Sequence, residues 1–289
     1  MKEIVKEKIA SILSGDEEIQ SVEQLGGMTN QNYLVKTSSN QYIVKFFGKG
    51  TDKLIDRQNE KFNLELLKDL KLDVENYLFD IEAGIKVNQY IENAETLDSN
   101  TIKAKFEKIA PILQTIHASG KELKGEFAPF EEIKKYESLI QGEISYPNYE
   151  VVRKSVFSLK DQLEEIGMDK KSCHIDLVPE NFIEGPDGHL YLIDWEYSSM
   201  NDPMWDLAAL FLESEFTSAE EEDFLSHYES DKTPVSRDKI RIYKILQDII
   251  WSLWTIYKEE NGADFGDYGI SRYNRAVKEL ESEGDLNEN

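Results

Sequence analysis

The sequence predicts an α+β chain in two lobes, a small antiparallel-sheet lobe followed by a mostly helical one. Three observations lead there. Short apolar runs with period-two alternation, separated by Gly, Ser and Asn turns, occupy residues 19–91. Beyond Ile91 apolar residues recur at helical spacing, as in Ile102, Phe106, Ile109, Leu113 and Ile116. Between the helical stretches, Ser172 to Glu196 reads as a polar loop, a tight hairpin and a buried strand ending in acid. The length, 289 residues, is enough for two lobes with real cores.

The elements follow in order. Ile4, Ile9, Ile12 and Leu13 mark a short amphipathic helix that Gly15-Asp16 ends. Strands are expected over Ile19–Leu25, Tyr33–Thr37 and Tyr42–Phe47, joined by GGMTNQN and SSNQ. Asp56–Leu70 reads as a helix with Glu60, Leu64 and Leu67 on one side, followed by strands around Tyr77–Ile81 and Gly84–Tyr90. That succession is the order of a small nucleotide-binding lobe, expected to span 1–91, with a catalytic and substrate-binding lobe over 92–289. In the second lobe the first helix carries Pro111, a candidate kink. Further helices are expected over Glu150–Ile166, Pro203–Leu212 and Ser236–Glu259, with Ser218-Ala219-Glu220-Glu221 as a capping box for another. From Glu279 the sequence is polar and is expected to fray.

Composition narrows the function. Hydrophobic content of 40% and aromatic content of 11% describe a globular protein. A formal net charge of −24 repels nucleic acid and anionic membranes, so neither is an expected partner. The same charge suits a cationic small molecule, and equally serves solubility. The lone cysteine, Cys173, permits neither an intrachain disulfide nor a cysteine-based zinc site. The N-terminus MKEIVKEKIASILSG lacks the apolar core of a secretory leader, and no apolar run is long enough to span a membrane. A soluble cytoplasmic protein is expected. His117, His189 and His227 show no metal-ligand pattern, and Ser198-Ser199 is not a nucleophile elbow.

The chemistry concentrates in the loop. His174, Asp176 and Asn181 fall in H-x-D-x-x-x-x-N, and Asp194 closes the strand 190–193, the spacing a kinase catalytic loop needs. In that reading Asp176 accepts the proton of the attacking hydroxyl, and Asn181 and Asp194 hold Mg²⁺ on the phosphates of ATP. His174 supports the loop. Within Leu25–Asn30, a glycine pair can bring backbone N–H groups to a phosphate, so Gly27, Thr29 and Asn30 are candidate ATP positions. Lys45 is a single cation in a hydrophobic strand and a candidate phosphate ligand, with Glu60 available to orient it. Gln89 to Ile91 stand where a backbone strap would read adenine. On the helix over Ser236–Glu259, Ile242, Ile245, Leu246, Ile249, Leu253 and Ile256 form the docking stripe. Trp251 and Trp254 lie off it and make a second, aromatic face, which suits a quaternary ammonium that has no N–H to donate. Glu196 and Glu213 could add negative charge, and Tyr197 and Tyr268 could complete a cage.

HIDLVPENF followed by YLIDWEYSSMNDPMWDLAAL closely resembles the choline kinases of the aminoglycoside phosphotransferase–choline kinase superfamily. The nearest match is the bacterial Lic-type branch of phosphocholine decoration. GGMTNQNY, YIVKFFG, RQNEKFNLELL, EFAPFEEI and WSLW fit that branch in the same order. The resemblance implies a bilobal protein-kinase-like fold and transfer of the ATP γ-phosphoryl group to choline with Mg²⁺. It implies Asp176 as base, Asn181 and Asp194 as metal ligands, and Lys45 at the phosphates, where many choline kinases have arginine. It also implies Gln89 and Ile91 at adenine, and Glu196, Tyr197, Glu213, Trp251, Trp254 and Tyr268 around choline. The alternatives are an ethanolamine or aminoglycoside kinase of the superfamily, or a catalytically dead nucleotide-binding scaffold.

Overall fold

In the computed structural model the described residues are 18–27, 30–48, 50–282 and 284. The expected helix up to Leu13 and the candidate Thr29 lie outside them. The chain forms two compact units, residues 1–97 with 180–196, and residues 98–179 with 197–289. The α+β, protein-kinase-like class expected from the sequence is the class found.

The first unit carries strands β1 (Ile19–Gln24), β2 (Gln31–Thr37), β3 (Gln41–Phe46), β4 (Asn76–Asp80) and β5 (Ile85–Gln89). They form one antiparallel sheet in the order β1-β2-β3-β5-β4. Alternation buries Val22, Tyr33, Val35, Val44, Ile85 and Val87 together as a core. Helix α1 (Arg57–Leu67) begins after Asp56, whose carboxylate accepts the N–H groups of Gln58 and Asn59 at 2.9 and 3.1 Å. A 3₁₀ turn over Lys68–Leu70 ends what the sequence suggested was a longer helix.

A second, small sheet joins β6 (Glu95–Thr96), β8 (Phe182–Glu184) and β9 (Leu190–Leu192). The Leu97 N–H donates to the Phe182 carbonyl at 2.9 Å and the Leu192 N–H to the Leu72 carbonyl at 2.8 Å. These bonds bring residues 180–196 into the first unit, whereas a single cut at residue 91 would assign them to the second.

The second unit is mostly helical: α2 (Phe106–His117), α3 (Pro129–Leu139), α4 (Tyr149–Ile166), α5 (Pro203–Glu213), α6 (Ser218–Tyr228), α7 (Arg237–Glu260) and α8 (Tyr268–Ser282). Helix α2 continues through Pro111 and buries Ile109, Leu113 and Ile116. The capping box of α6 sits one residue earlier than expected: Thr217 is the N-cap, exchanging bonds with Glu220. Helices α3 and α8 were not foreseen, and α8 runs past Glu279, where a frayed tail was expected. Its buried Tyr273, Ala276 and Leu280 recur every three or four residues and dock it. Strand β7 (Lys171–Cys173) pairs with β10 (Ser199–Asn201) just before the loop that carries Asp176. Among the described residues no helix is long and apolar enough to cross a membrane.

Candidate active site

In the first unit the register of β3 and β5 sets the electrostatics. Lys45 and Lys86 are directly opposite in the ladder, and both are buried. Like charges so placed are destabilising unless each has its own carboxylate. Lys86 takes Glu60, at 3.0 Å, and Lys45 takes Asp194, at 2.6 Å. The expected Lys45–Glu60 pair is therefore corrected: Glu60 is shared by Lys86 and Arg57, which donates to it at 2.7 Å. Burial opposes the charge on Lys45, but Asp194, Glu196 and Glu60 together raise its pKa above the ordinary lysine value. Asp194 lies just past β9 with φ 69°, a left-handed conformation that is uncommon for a residue with a side chain, though less costly for aspartate than for most. Its side chain is 26% exposed and so accessible to an ion. The Ile193 N–H bonds the Asn181 carbonyl at 2.8 Å, tying the two expected metal ligands into one local frame.

Arg57, which the sequence did not single out, is the hub beside them. Its guanidinium donates to Glu196 at 2.9 Å and to Asn30 at 3.0 Å, and its carbon lies 4.1 Å from the Phe47 ring centroid. Asn30 also donates to Glu196 at 2.6 Å and accepts the Gly48 N–H at 3.3 Å. Glu196 is buried and held by Arg57 and Asn30, so its carboxylate is engaged within the first unit. Asn30 ties the turn to α1 and does not present its amide outward. Burial pushes the Glu196 pKa up, aided by Asp194 and countered by Lys45 and Arg57. Gly27 is needed as glycine: a Cβ there would meet Asn32 Nδ2 at 2.5 Å and the Asn30 carbonyl at 2.8 Å.

Gln89 ends β5 with its N–H given to the Glu75 carbonyl at 2.8 Å, so that donor is spent on backbone pairing. The Ile91 carbonyl accepts the Ala94 N–H at 3.3 Å. Asp73, unnoticed in the sequence, is a fourth acid near this cluster. Burial, with Asp194 adding repulsion, pushes its pKa up to about 7 against the pull of Lys86 and Lys45.

In the second unit the loop around Asp176 is clamped from below. Asp206 of α5, fully buried, accepts the N–H groups of His174 and Ile175, each at 2.8 Å. Ile175 has φ 77°, a strained conformation for a β-branched residue, and the Trp205 indole donates to its carbonyl at 3.0 Å. His117 bridges Asp206 at 3.0 Å and the Tyr228 hydroxyl at 2.7 Å, the structural role expected of it. Three hydrogen bonds, two of them to a carboxylate, thus fix the backbone that leads into Asp176, and His117 and Tyr228 hold that carboxylate in turn.

The aromatic face is longer than the sequence suggested. Tyr197 meets Trp251 edge-on at 5.8 Å between centroids, and Trp251 meets Trp254 at 6.4 Å. Trp254 packs on Phe265 at 4.9 Å, and Phe265 on Tyr268 at 6.4 Å. Trp254 is buried, Trp251 half-buried. Tyr136 of α3 is fully buried; burial, Glu132 and Asp176 raise its pKa, while a bond with Tyr197 lowers it. Glu213 stands at the end of α5, but it is ion-paired with Arg272 of α8. Arg272 also donates to the Tyr268 hydroxyl at 2.8 Å. Phe265, Tyr136 and Arg272 were missed; the last needed α8, whose i, i+3, i+7 pattern was the available signal.

Comparison with known proteins agrees with this chemistry. A family model described as choline/ethanolamine kinase matches residues 22–277. A protein named LicA from Haemophilus influenzae is 32% identical over 269 residues, 89% of this chain and 79% of that one. The crystal structure of choline kinase LicA from Streptococcus pneumoniae aligns with a TM-score of 0.94 and 77% identity, covering 98% of this chain and 99% of that chain. A structure of LicA in complex with AMP aligns at 0.92 and 78% identity, covering 97% and 98%.

Proposed function

This chain belongs to the choline/ethanolamine kinase family, and we propose that it transfers the γ-phosphoryl group of ATP to the hydroxyl of choline. The products are phosphocholine and ADP. The observation that carries choline over other acceptors is the aromatic row Tyr197–Trp251–Trp254–Phe265–Tyr268, in the same unit as Asp176. A quaternary ammonium offers no N–H, so ring faces are its strongest side-chain partners. The row holds five rings, more than helix docking requires, because α7 already buries Ile242, Ile245, Leu246, Ile249 and Leu253.

Asp176 serves as the base toward the choline hydroxyl, and the clamp on His174 and Ile175 positions the backbone that leads into it. Lys45 contacts the phosphates in its charged form, which its acidic neighbours maintain. Gly27 belongs to the turn that approaches the phosphates, with Asn30 anchoring it. Gln89 and Ile91 border adenine, Ile91 by its backbone; Glu60 orients the cluster through Arg57 and Lys86.

The donor set fits Mg²⁺: an amide oxygen from Asn181 and the accessible carboxylate of Asp194 are the hard ligands it prefers. Bound there, Mg²⁺ would neutralise charge on the phosphate oxygens. Use of ATP favours the cytoplasm as compartment. In this reading Lys45, Asn181 and Asp194 place the nucleotide-binding groups in the first unit, and the aromatic row places the choline-binding groups in the second.

The test is ADP release by purified protein with Mg²⁺, ATP and a panel of choline, its less methylated analogues and ethanolamine. Choline-dependent release well above background, falling as methyl groups are removed, is expected. Release that needs no amine, or that favours ethanolamine, would overturn the choline assignment.

A further inference from the structure

Arg272 occupies an unusual position for a cation next to a site proposed to bind a cation. Its side chain is 5% exposed, on α8, and one nitrogen, Nη1, donates to both Glu213 and the Tyr268 hydroxyl. Its carbon also lies 5.2 Å from the Tyr268 ring centroid. The other nearby acid, Asp248, lies 3.1 Å from Arg272 Nε but is gripped by Arg275 through two bonds of 2.6 Å. The arginine is therefore committed mainly to Glu213 and Tyr268. Burial disfavours its charge, but Glu213, Tyr268 and Asp248 raise its pKa, so it stays protonated.

We propose that Arg272 sets headgroup specificity by engaging Glu213 Oε1 and the Tyr268 hydroxyl, acceptors a primary ammonium could use, while leaving the aromatic rings to a quaternary one. This rests on the choline reading above. An ethanolamine ammonium carries three N–H donors, each of which must find an acceptor once desolvated. Near the Tyr268 end of the aromatic row, Glu213 Oε1 and the Tyr268 hydroxyl, two oxygens that could accept, already receive from the guanidinium. A trimethylammonium makes no such demand and loses nothing. Arg272 acts through Glu213 and is thus a positioning residue, not a catalytic one.

The experiment compares kcat/KM for ethanolamine and choline in the full chain carrying Arg272→Gln. Releasing Glu213 and Tyr268 should raise the ethanolamine-to-choline ratio about tenfold, equivalent to ~1.4 kcal/mol. Arg272→Lys keeps the charge but not the planar geometry that aims one nitrogen at both acceptors, so the ratio should rise by less, about threefold. If the glutamine variant does not fold, the lysine variant and Glu213→Gln decide. Glu213→Gln should lower kcat/KM for both amines in the same proportion, since Arg272 already holds that carboxylate. An unchanged ratio in folded Arg272 variants, or a loss confined to ethanolamine in Glu213→Gln, overturns the proposal. If the parent protein shows no choline-dependent ADP release, the functional reading itself fails, and that outcome is distinct.

Discussion

Replacing Lys45 by methionine removes one charge from a set in which Lys45, Arg57 and Lys86 face Glu60, Asp194 and Glu196. The side chain keeps much of its apolar stem in β3, so packing changes little. Breaking a buried ion pair costs about 3–5 kcal/mol when the partner is fully buried. Asp194 is 26% exposed on its side chain, so water solvates part of the orphaned charge and about 1–3 kcal/mol is the expected loss. The catalytic loss should be larger, because a phosphate-contacting cation stabilises charge in the transition state: about 10²–10³-fold in kcat/KM. Lys45→Arg should lose less, since charge is kept and only geometry changes. The assay pairs steady-state ADP release with thermal unfolding. Folded Lys45→Met protein working within about threefold of the parent would refute the assignment of Lys45 to the phosphates.

Three further predictions concern other groups. Trp251 is half-buried between Tyr197 and Trp254, so Trp251→Ala should weaken choline binding by about 1–2 kcal/mol. ATP affinity by titration should be unchanged; equal losses for both ligands would make the ring structural. Asp73 has a folded pKa near 7, above its usual 3.8, so its stabilising effect is complete below 3.8 and is lost as pH rises through 7. Asp73→Asn should therefore gain stability relative to the parent between pH 4 and 7.5, on the order of 1–2 kcal/mol in denaturant titrations, and a difference constant across that range would sink the idea. Thr217→Ala removes the N-cap of α6 and should lower stability by about 1 kcal/mol with no effect on kcat/KM. Unaltered melting would show that the box is not formed in solution.

The sheet was legible because its signals are local. Alternation and the GGMTNQN and SSNQ turns located three strands to within a residue or two, and the Asp56 cap marked the start of α1. The pairing of charges was not legible, since it depends on register. Nothing in YIVKF announces that Lys45 will face Lys86 across the ladder and leave Glu60 to the latter. Glu196 illustrates the same limit. Its place beside Tyr197 in WEY suggested the aromatic face, but the partner that claims it, Arg57, lies 139 residues earlier. The two tryptophans were visible from their angle on the α7 helix, whereas Phe265 and Tyr268 join them only because α8 folds back. That helix begins after a glycine-rich turn, and its apolar residues alternate with charges closely enough to read as surface.

The central claim is that Asp176 promotes transfer of a phosphoryl group from ATP to choline. The measurement that tests it most directly follows label from γ-labelled ATP into phosphocholine, in the parent and in Asp176→Asn. Label should appear in phosphocholine in step with ADP, and Asp176→Asn should lose about 10²-fold or more of the rate while still binding ATP. Label that goes to inorganic phosphate alone, or an Asp176→Asn variant as fast as the parent, would contradict the account.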